Sequence, residues 1–139
     1  MVASVVVLSG CSLLALLGPD RDENGRVTGT SEIDSTTLVR GDCFSFVDGT
    51  ELARADVTPC SEPHTYLVIG GGTLSTTEVD KAGNLQNAVS VACADDFESF
   101  KKRAPAGAKP EQQFIVSPQE KGGKSYTLYL CVATNTGTS

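Results

Sequence analysis

Tyr126-Thr127-Leu128-Tyr129-Leu130-Cys131-Val132-Ala133 is the stretch whose reading decides the fold. Its apolar side chains fall on odd and even positions alike, so a strand built from it has no face to give to water. It reads as a central strand covered on both sides, and a second element must lie across it. Upstream, the apolar set Leu85, Val89, Cys93, Phe97 and Phe100 advances by four, four, four and three residues, which is one face of an α-helix. Cys93 lies on that stripe, so its sulfur points to the core and toward Cys131. The helix is expected within residues 76–103. Thr76 and Thr77 are candidate N-caps with Glu78 and Asp80 in the first turn, and Gly83 delays the start. Lys101-Lys102-Arg103 complement the negative end of the helix dipole, and Pro105 closes it.

The other strands are shorter. Residues 36–46 are rich in β-formers with a turn at Gly41-Asp42, and residues 65–69 make a short apolar strand that Gly70-Gly71-Gly72 ends. Residues 47–54, with Asp48-Gly49, form the loop between the first two strands, and residues 57–64 lead into the second. Residues 104–111 are loop, residues 114–116 a strand, and a loop containing Pro118 and Gly122-Gly123 joins it to the opening stretch. The expected fold class is α+β: one long helix packed on a small antiparallel sheet, in ββαββ order. Residues 37–133 form this domain, residues 134–139 a disordered tail. Residues 20–36, polar and with almost nothing to bury, read as a flexible tether.

The N-terminus carries a different signal. Residues 2–18 hold no charged side chain, and Leu8-Ser9-Gly10-Cys11 within them has the form of a bacterial lipobox. There, Cys11 accepts diacylglyceryl and becomes the first residue of the working protein. The competing reading is an uncleaved membrane anchor, which the apolar Leu13-Leu14-Ala15-Leu16-Leu17 favours and the shortness of the stretch opposes. No Lys or Arg precedes the apolar run, so whether Met1 is the true start stays open. Either reading puts the domain outside the cytoplasm. Lipidation of Cys11 also accounts for the odd count of five cysteines. Cys43, Cys60, Cys93 and Cys131 remain for disulfides, and pairing Cys43 with Cys60 and Cys93 with Cys131 joins neighbouring segments.

Composition excludes some functions and leaves the rest unassigned. A net charge of −6 without a basic run argues against nucleic acid and against adsorption to anionic lipid through charge. No CxxC or CxH spacing suggests a metal, and no cofactor motif is present: Gly70-Gly71-Gly72 lacks the following GK[ST] of a phosphate loop. Asp20-Arg21-Asp22-Glu23-Asn24 lacks the glycine and glutamate spacing of a calcium loop. Catalysis by imidazole would have to use His64, the single histidine, whose neighbours Ser61 and Glu62 are too near in sequence for a triad. His64 is therefore read as orienting a turn after Pro63, with contact to a partner as its functional alternative. Asp95, Asp96 and Glu98 lie on the polar face of the helix, solvated and without the burial that a general acid needs.

Two elements resemble a known family. Leu38-Val39-Arg40-Gly41-Asp42-Cys43-Phe44, followed by Val57-Thr58-Pro59-Cys60-Ser61-Glu62-Pro63-His64, is similar to the opening of the septum-formation domain of actinobacterial envelope proteins. Cys93 with Phe97, and residues 126–132 with Cys131, fit that family's helical and final-strand cysteines; the match spans about residues 37–133. The resemblance implies an extracytoplasmic, membrane-attached domain with no catalytic residues to carry over. The expected function is a lipid-anchored, non-catalytic interaction module on the outer face of the cell membrane, binding a membrane or cell-wall assembly protein. Its alternatives are an accessory lipoprotein subunit of another membrane complex, or a small-ligand binder or enzyme using the region around His64. Mass spectrometry of the native protein is expected to find acyl groups on Cys11; an intact N-terminus beginning at Met1 would select the anchor reading.

Overall fold

The computed structural model describes residues 19–49 and 52–134; Cys11, with the lipobox, and most of the expected C-terminal tail lie outside them. Strands β1 (Ser31–Asp34), β2 (Cys43–Phe46), β3 (Arg54–Thr58), β4 (Tyr66–Ser75), β5 (Gln112–Lys121) and β6 (Lys124–Thr134) form one sheet. Its order is β1-β3-β2-β4-β6-β5, with every neighbouring pair antiparallel. A 3-10 helix (Ser35–Thr37) follows β1, and helices α1 (Thr76–Ala82) and α2 (Leu85–Arg103) link β4 to β5.

The expected small sheet in ββαββ order with one long helix is therefore wrong: the sheet has six strands and the helical segment is two helices. The reasons are local. In β3 the alternation spans only Arg54, Ala55, Asp56 and Val57, with small Ala55 as one of its two inward side chains, and in β1 only Ile33 is buried, so each signal is too short to stand out. Residues 20–36 consequently are not a free tether, since they contain β1 and place Val27 and Ile33 in the core. Gly83, at φ 99°, interrupts the helix after α1. Ser75 caps α1, accepting from the Glu78 N–H while the Glu78 carboxylate accepts from the Ser75 N–H. Asn84 caps α2 by accepting from the Asn87 N–H.

The opening stretch behaves as read. Within β6, Leu130 and Val132 belong to one core, and Cys131 and Ala133 to another on the opposite face. The first core gathers Val27, Ile33, Leu38, Phe44, Val57, Val68 and Ile115 from both ends of the sheet. The sheet curls onto itself there: the 3-10 helix after β1 touches β5 and β6, although β1 and β5 are its opposite edges. The rings of Phe44, Phe46 and Tyr66 fill part of this side, with centroids 5.0–5.5 Å apart. The second core lies under the helices, where Ala88, Val89 and Cys93 of α2 are buried against Ile69, Leu74 and Cys131.

Both disulfides form in the expected pairing. Cys43 joins Cys60 with Cα atoms 5.2 Å apart, and Cys93 joins Cys131 at 5.6 Å, fastening α2 to the central strand. With separations of 17 and 38 residues, the chain-entropy model assigns them about 3 and about 4 kcal/mol.

Gly70-Gly71-Gly72 does not end the pairing. The three glycines lie inside β4 opposite Cys131, Leu130 and Tyr129, after a bulge between Val68 and Gly70. Each position lacks room for a side chain: a Cβ on Gly70 would collide with the Asp96 carboxylate, one on Gly71 would sit 2.8 Å from the Tyr129 carbonyl oxygen, and one on Gly72 3.0 Å from the Tyr129 hydroxyl. Glycine here permits close approach rather than a turn. The expected loop around Pro118 is likewise a hairpin. Gly122 and Gly123, at φ 60° and 79°, make a two-residue turn of type I′, and β5 runs through Pro118 as an edge strand. Gly71→Ala is expected to destabilise the fold by about 1–3 kcal/mol in chemical denaturation, whereas an alanine at Gly29, with no atom near its Cβ position, serves as the near-neutral control.

Candidate functional site

A cleft of about 650 Å³ lies where three turns of the described residues meet. One is the N-terminal loop of residues 20–28, the second the Arg40-Gly41-Asp42 turn before β2, the third the Pro59-Cys60-Ser61 turn after β3.

Each turn has a local cause. The Asp22 carboxylate accepts from the N–H groups of Asn24 and Arg26, Gly25 takes φ 82°, and Thr28 N–H donates to the Asp20 carbonyl. This closes a compact loop whose Val27 is only 8% exposed in the core. Gly41 sits at φ 95°, and around it Gly41 N–H donates to the Val68 carbonyl while Val68 N–H donates to that of Asp42. The backbone pairing of β2 with β4 is thereby carried past the end of β2. The third turn is held to the second by the Cys43–Cys60 disulfide.

At the back of the cleft is the most buried charge among the described residues. Asp42 is 3% exposed. Its Oδ1 and Oδ2 accept from Nη1 and Nη2 of Arg21 at 2.8 and 2.9 Å, and Oδ2 also accepts from the Val39 N–H at 2.9 Å. The planar guanidinium matches both carboxylate oxygens at once. Hydrogen bonding to Asp42 pushes the Arg21 pKa above its ordinary value, with a smaller opposing effect from burial. Arg21 Nη1 also donates to the Gly25 carbonyl, so one side chain fastens its own loop and clamps that loop to the sheet.

Arg26 and Arg40 line the opening. Arg40 reaches across to α2 and pairs with Asp96 at 2.9 Å in an exposed bridge. Asp96, read from the sequence as a solvated residue of the helix surface, instead lies against Gly70 with a side chain 31% exposed. The cleft is thus lined by Asp42, already paired with Arg21, by Arg40, paired with Asp96, and by Asp22 and Arg26. Such side chains hydrogen-bond polar groups, while Cys43 and Cys60 are spent in a disulfide and offer no thiolate.

His64 is not part of this cleft. It stands two residues before β4, and its Nδ1 lies 2.8 Å from the Glu62 carbonyl oxygen. That contact closes the turn after Cys60 and fits the orienting role. Among the described residues, no group of three or more His, Cys, Asp or Glu side chains is placed to hold a metal. No helix of the described residues is long and apolar enough to cross a membrane.

Sequence reasoning located Cys43 and Cys60 but missed Arg21 and Asp42 as a pair. The Gly41-Asp42 turn was legible; a partner for Asp42 lying 21 residues upstream in apparently solvated sequence was not. No family model matches the chain, nor does any curated protein or solved structure. The resemblance to the septum-formation family therefore has no support from these comparisons.

Arg21→Ala leaves a buried carboxylate with one backbone donor and is expected to cost about 1–3 kcal/mol. Glu32→Gln, which breaks an exposed pair with Arg54, is expected to cost under about 1 kcal/mol in the same denaturation series.

Proposed function

We propose that this chain is an extracytoplasmic, lipid-anchored, non-catalytic interaction module of the bacterial cell envelope, contacting a membrane or cell-wall assembly protein. The observation that carries this reading is the pair of disulfides built into the packing. Cys43, Cys93 and Cys131 are at most 2% exposed, and one bond ties the main helix to the central strand. Cysteines placed this way belong to an oxidising compartment, because cytosolic thiols are kept reduced. The lipobox at Cys11 supplies the attachment. The septum-formation character rests on residues 38–44 and 57–64, with Cys93, Phe97 and Cys131 fitting the family's later cysteines.

The Arg21 clamp adds a geometric consequence. From Cys11 to Arg21 the chain reaches at most about 35 Å when fully extended. An acyl group on Cys11 would therefore hold the domain close to the bilayer, with the cleft end nearest to it. A partner reached from there is itself a membrane protein or lies against the membrane. The cleft, rather than His64, is then the favoured contact surface, since Asp22, Arg26 and Arg40 line it beside the Arg21 loop, while His64 Nδ1 is engaged with the Glu62 carbonyl.

Fractionation of native cells is expected to place the chain with membranes, with non-reducing peptide maps showing the 43/60 and 93/131 fragments linked. A soluble cytosolic chain with free thiols overturns the proposal. His64→Ala is expected to fold normally and to retain partner capture in crosslinked cells; loss of an activity with the fold intact would instead favour a ligand-binding or enzymatic role at His64.

A further inference from the structure

We propose that the free edge of β5 is a self-association site, at which two copies of this chain pair antiparallel about Phe114. The inference is independent of where the protein resides.

The hairpin fixes which backbone groups are free. In a two-residue hairpin the flanking residues, here Lys121 and Lys124, exchange hydrogen bonds with each other, and bonded pairs then recur at every second residue. The odd-numbered residues of β5 therefore bond to β6. The Thr134 N–H donating to the Glu111 carbonyl at 2.9 Å continues that parity past the strand's start. The even-numbered residues Gln112, Phe114 and Val116 turn their N–H and C=O groups outward, away from β6. Pro118 has the same parity and removes no sheet hydrogen bond, which is why β5 tolerates it.

Edges of this kind are ordinarily protected by charge, shortness or a cover. β1, the other edge, is four residues long, carries Glu32 and Asp34, and ends in the 3-10 helix. β5 is ten residues long, has no strand on its outer side among the described residues, and lacks charge along its middle. Residues 112–119 contain no charged side chain, Val116 is 42% exposed, and Phe114 is half-buried at the margin of the helix-side core beside half-buried Phe97 and Phe100.

A second copy is the occupant because the segment is complementary to itself. Pro118 has outward parity in β5, and Pro110 stands the same four residues on the other side of Phe114, two residues before the strand starts. In an antiparallel pair centred on Phe114, Pro110 of one copy meets Pro118 of the other, and neither brings an N–H. Between these stops, Gln112 faces Val116 of the second copy, Phe114 faces its equivalent, and Val116 faces Gln112. Each of these pairs exchanges two hydrogen bonds. A two-fold axis through the seam, normal to the sheet, keeps both helix-bearing faces on one side. The two half-buried Phe114 rings then meet and join the helix-side cores.

The register supplies the test. In the full-length chain in detergent, Gln112→Cys and Val116→Cys variants mixed and oxidised are expected to crosslink at least tenfold more than either variant alone, measured above the unsubstituted chain. Val116→Lys, whose exposed side chain makes it safe for folding, is expected to shift sedimentation from dimer to monomer with an unchanged unfolding midpoint. Sedimentation of the unsubstituted chain as a monomer at every concentration overturns the proposal. So does crosslinking that ignores which variants are mixed, or a dimer that Val116→Lys leaves intact.

Discussion

The seam between α2 and β6 is the contact on which the rest of the architecture depends. Cys93 is fully buried on the helix stripe and Cys131 fully buried in the strand, and the bond between them fixes both the height and the rotation of α2 over the sheet. That placement decides the neighbouring details. It sets Asp96 against Gly70 and lets Asp96 reach Arg40, and it holds Val89 and Ala88 on the sheet beside Ile69. The glycines of β4 are the counterpart of this closeness, since a strand with side chains at those positions could not lie so near the helix and the Tyr129 ring. The same crowding pushes the Tyr129 pKa up, chiefly through burial and secondarily through Asp96 and Glu78.

A second fastening works at the other end. The Cys43–Cys60 disulfide and the Arg21–Asp42 pair converge on the start of β2, one covalent and one ionic. The ionic one depends on full satisfaction of a carboxylate withdrawn from water, which the forked guanidinium and the Val39 N–H provide. Together they bring three turns to one place and leave the cleft between them. The proposed contact surface lies there, lined by Asp22, Arg26, Arg40 and Asp42.

Among the described residues no second sheet or long helix covers the first core, and curling takes that layer's place. Ile33, on one edge strand, and Ile115, on the other, share a single apolar cluster, which spares a chain with no tryptophan the need for a larger interior. β5 is left as the last strand of the sheet, with Pro118 within it.

The residues alone determined what depends on local pattern or on counting. The two-faced strand at residues 126–133, the helical stripe through Cys93, and the even set of cysteines left beside Cys11 were each legible, because a period or a parity is carried by neighbouring positions. The disulfide pairing followed from adjacency of segments. Tertiary structure decided everything that depends on distant partners. Residues 20–36 looked solvated because a single Val27 or Ile33 carries no period, yet each finds a pocket in a curled sheet, and Arg21 finds Asp42. Gly70-Gly71-Gly72 looked like a stop because glycine weakens a strand, and only Asp96 of the helix and Leu130 and Tyr129 of the neighbouring strand supply the reason to keep them there. Pro118 looked like a loop because proline lacks a donor, and only its outward parity on an edge makes the missing donor harmless.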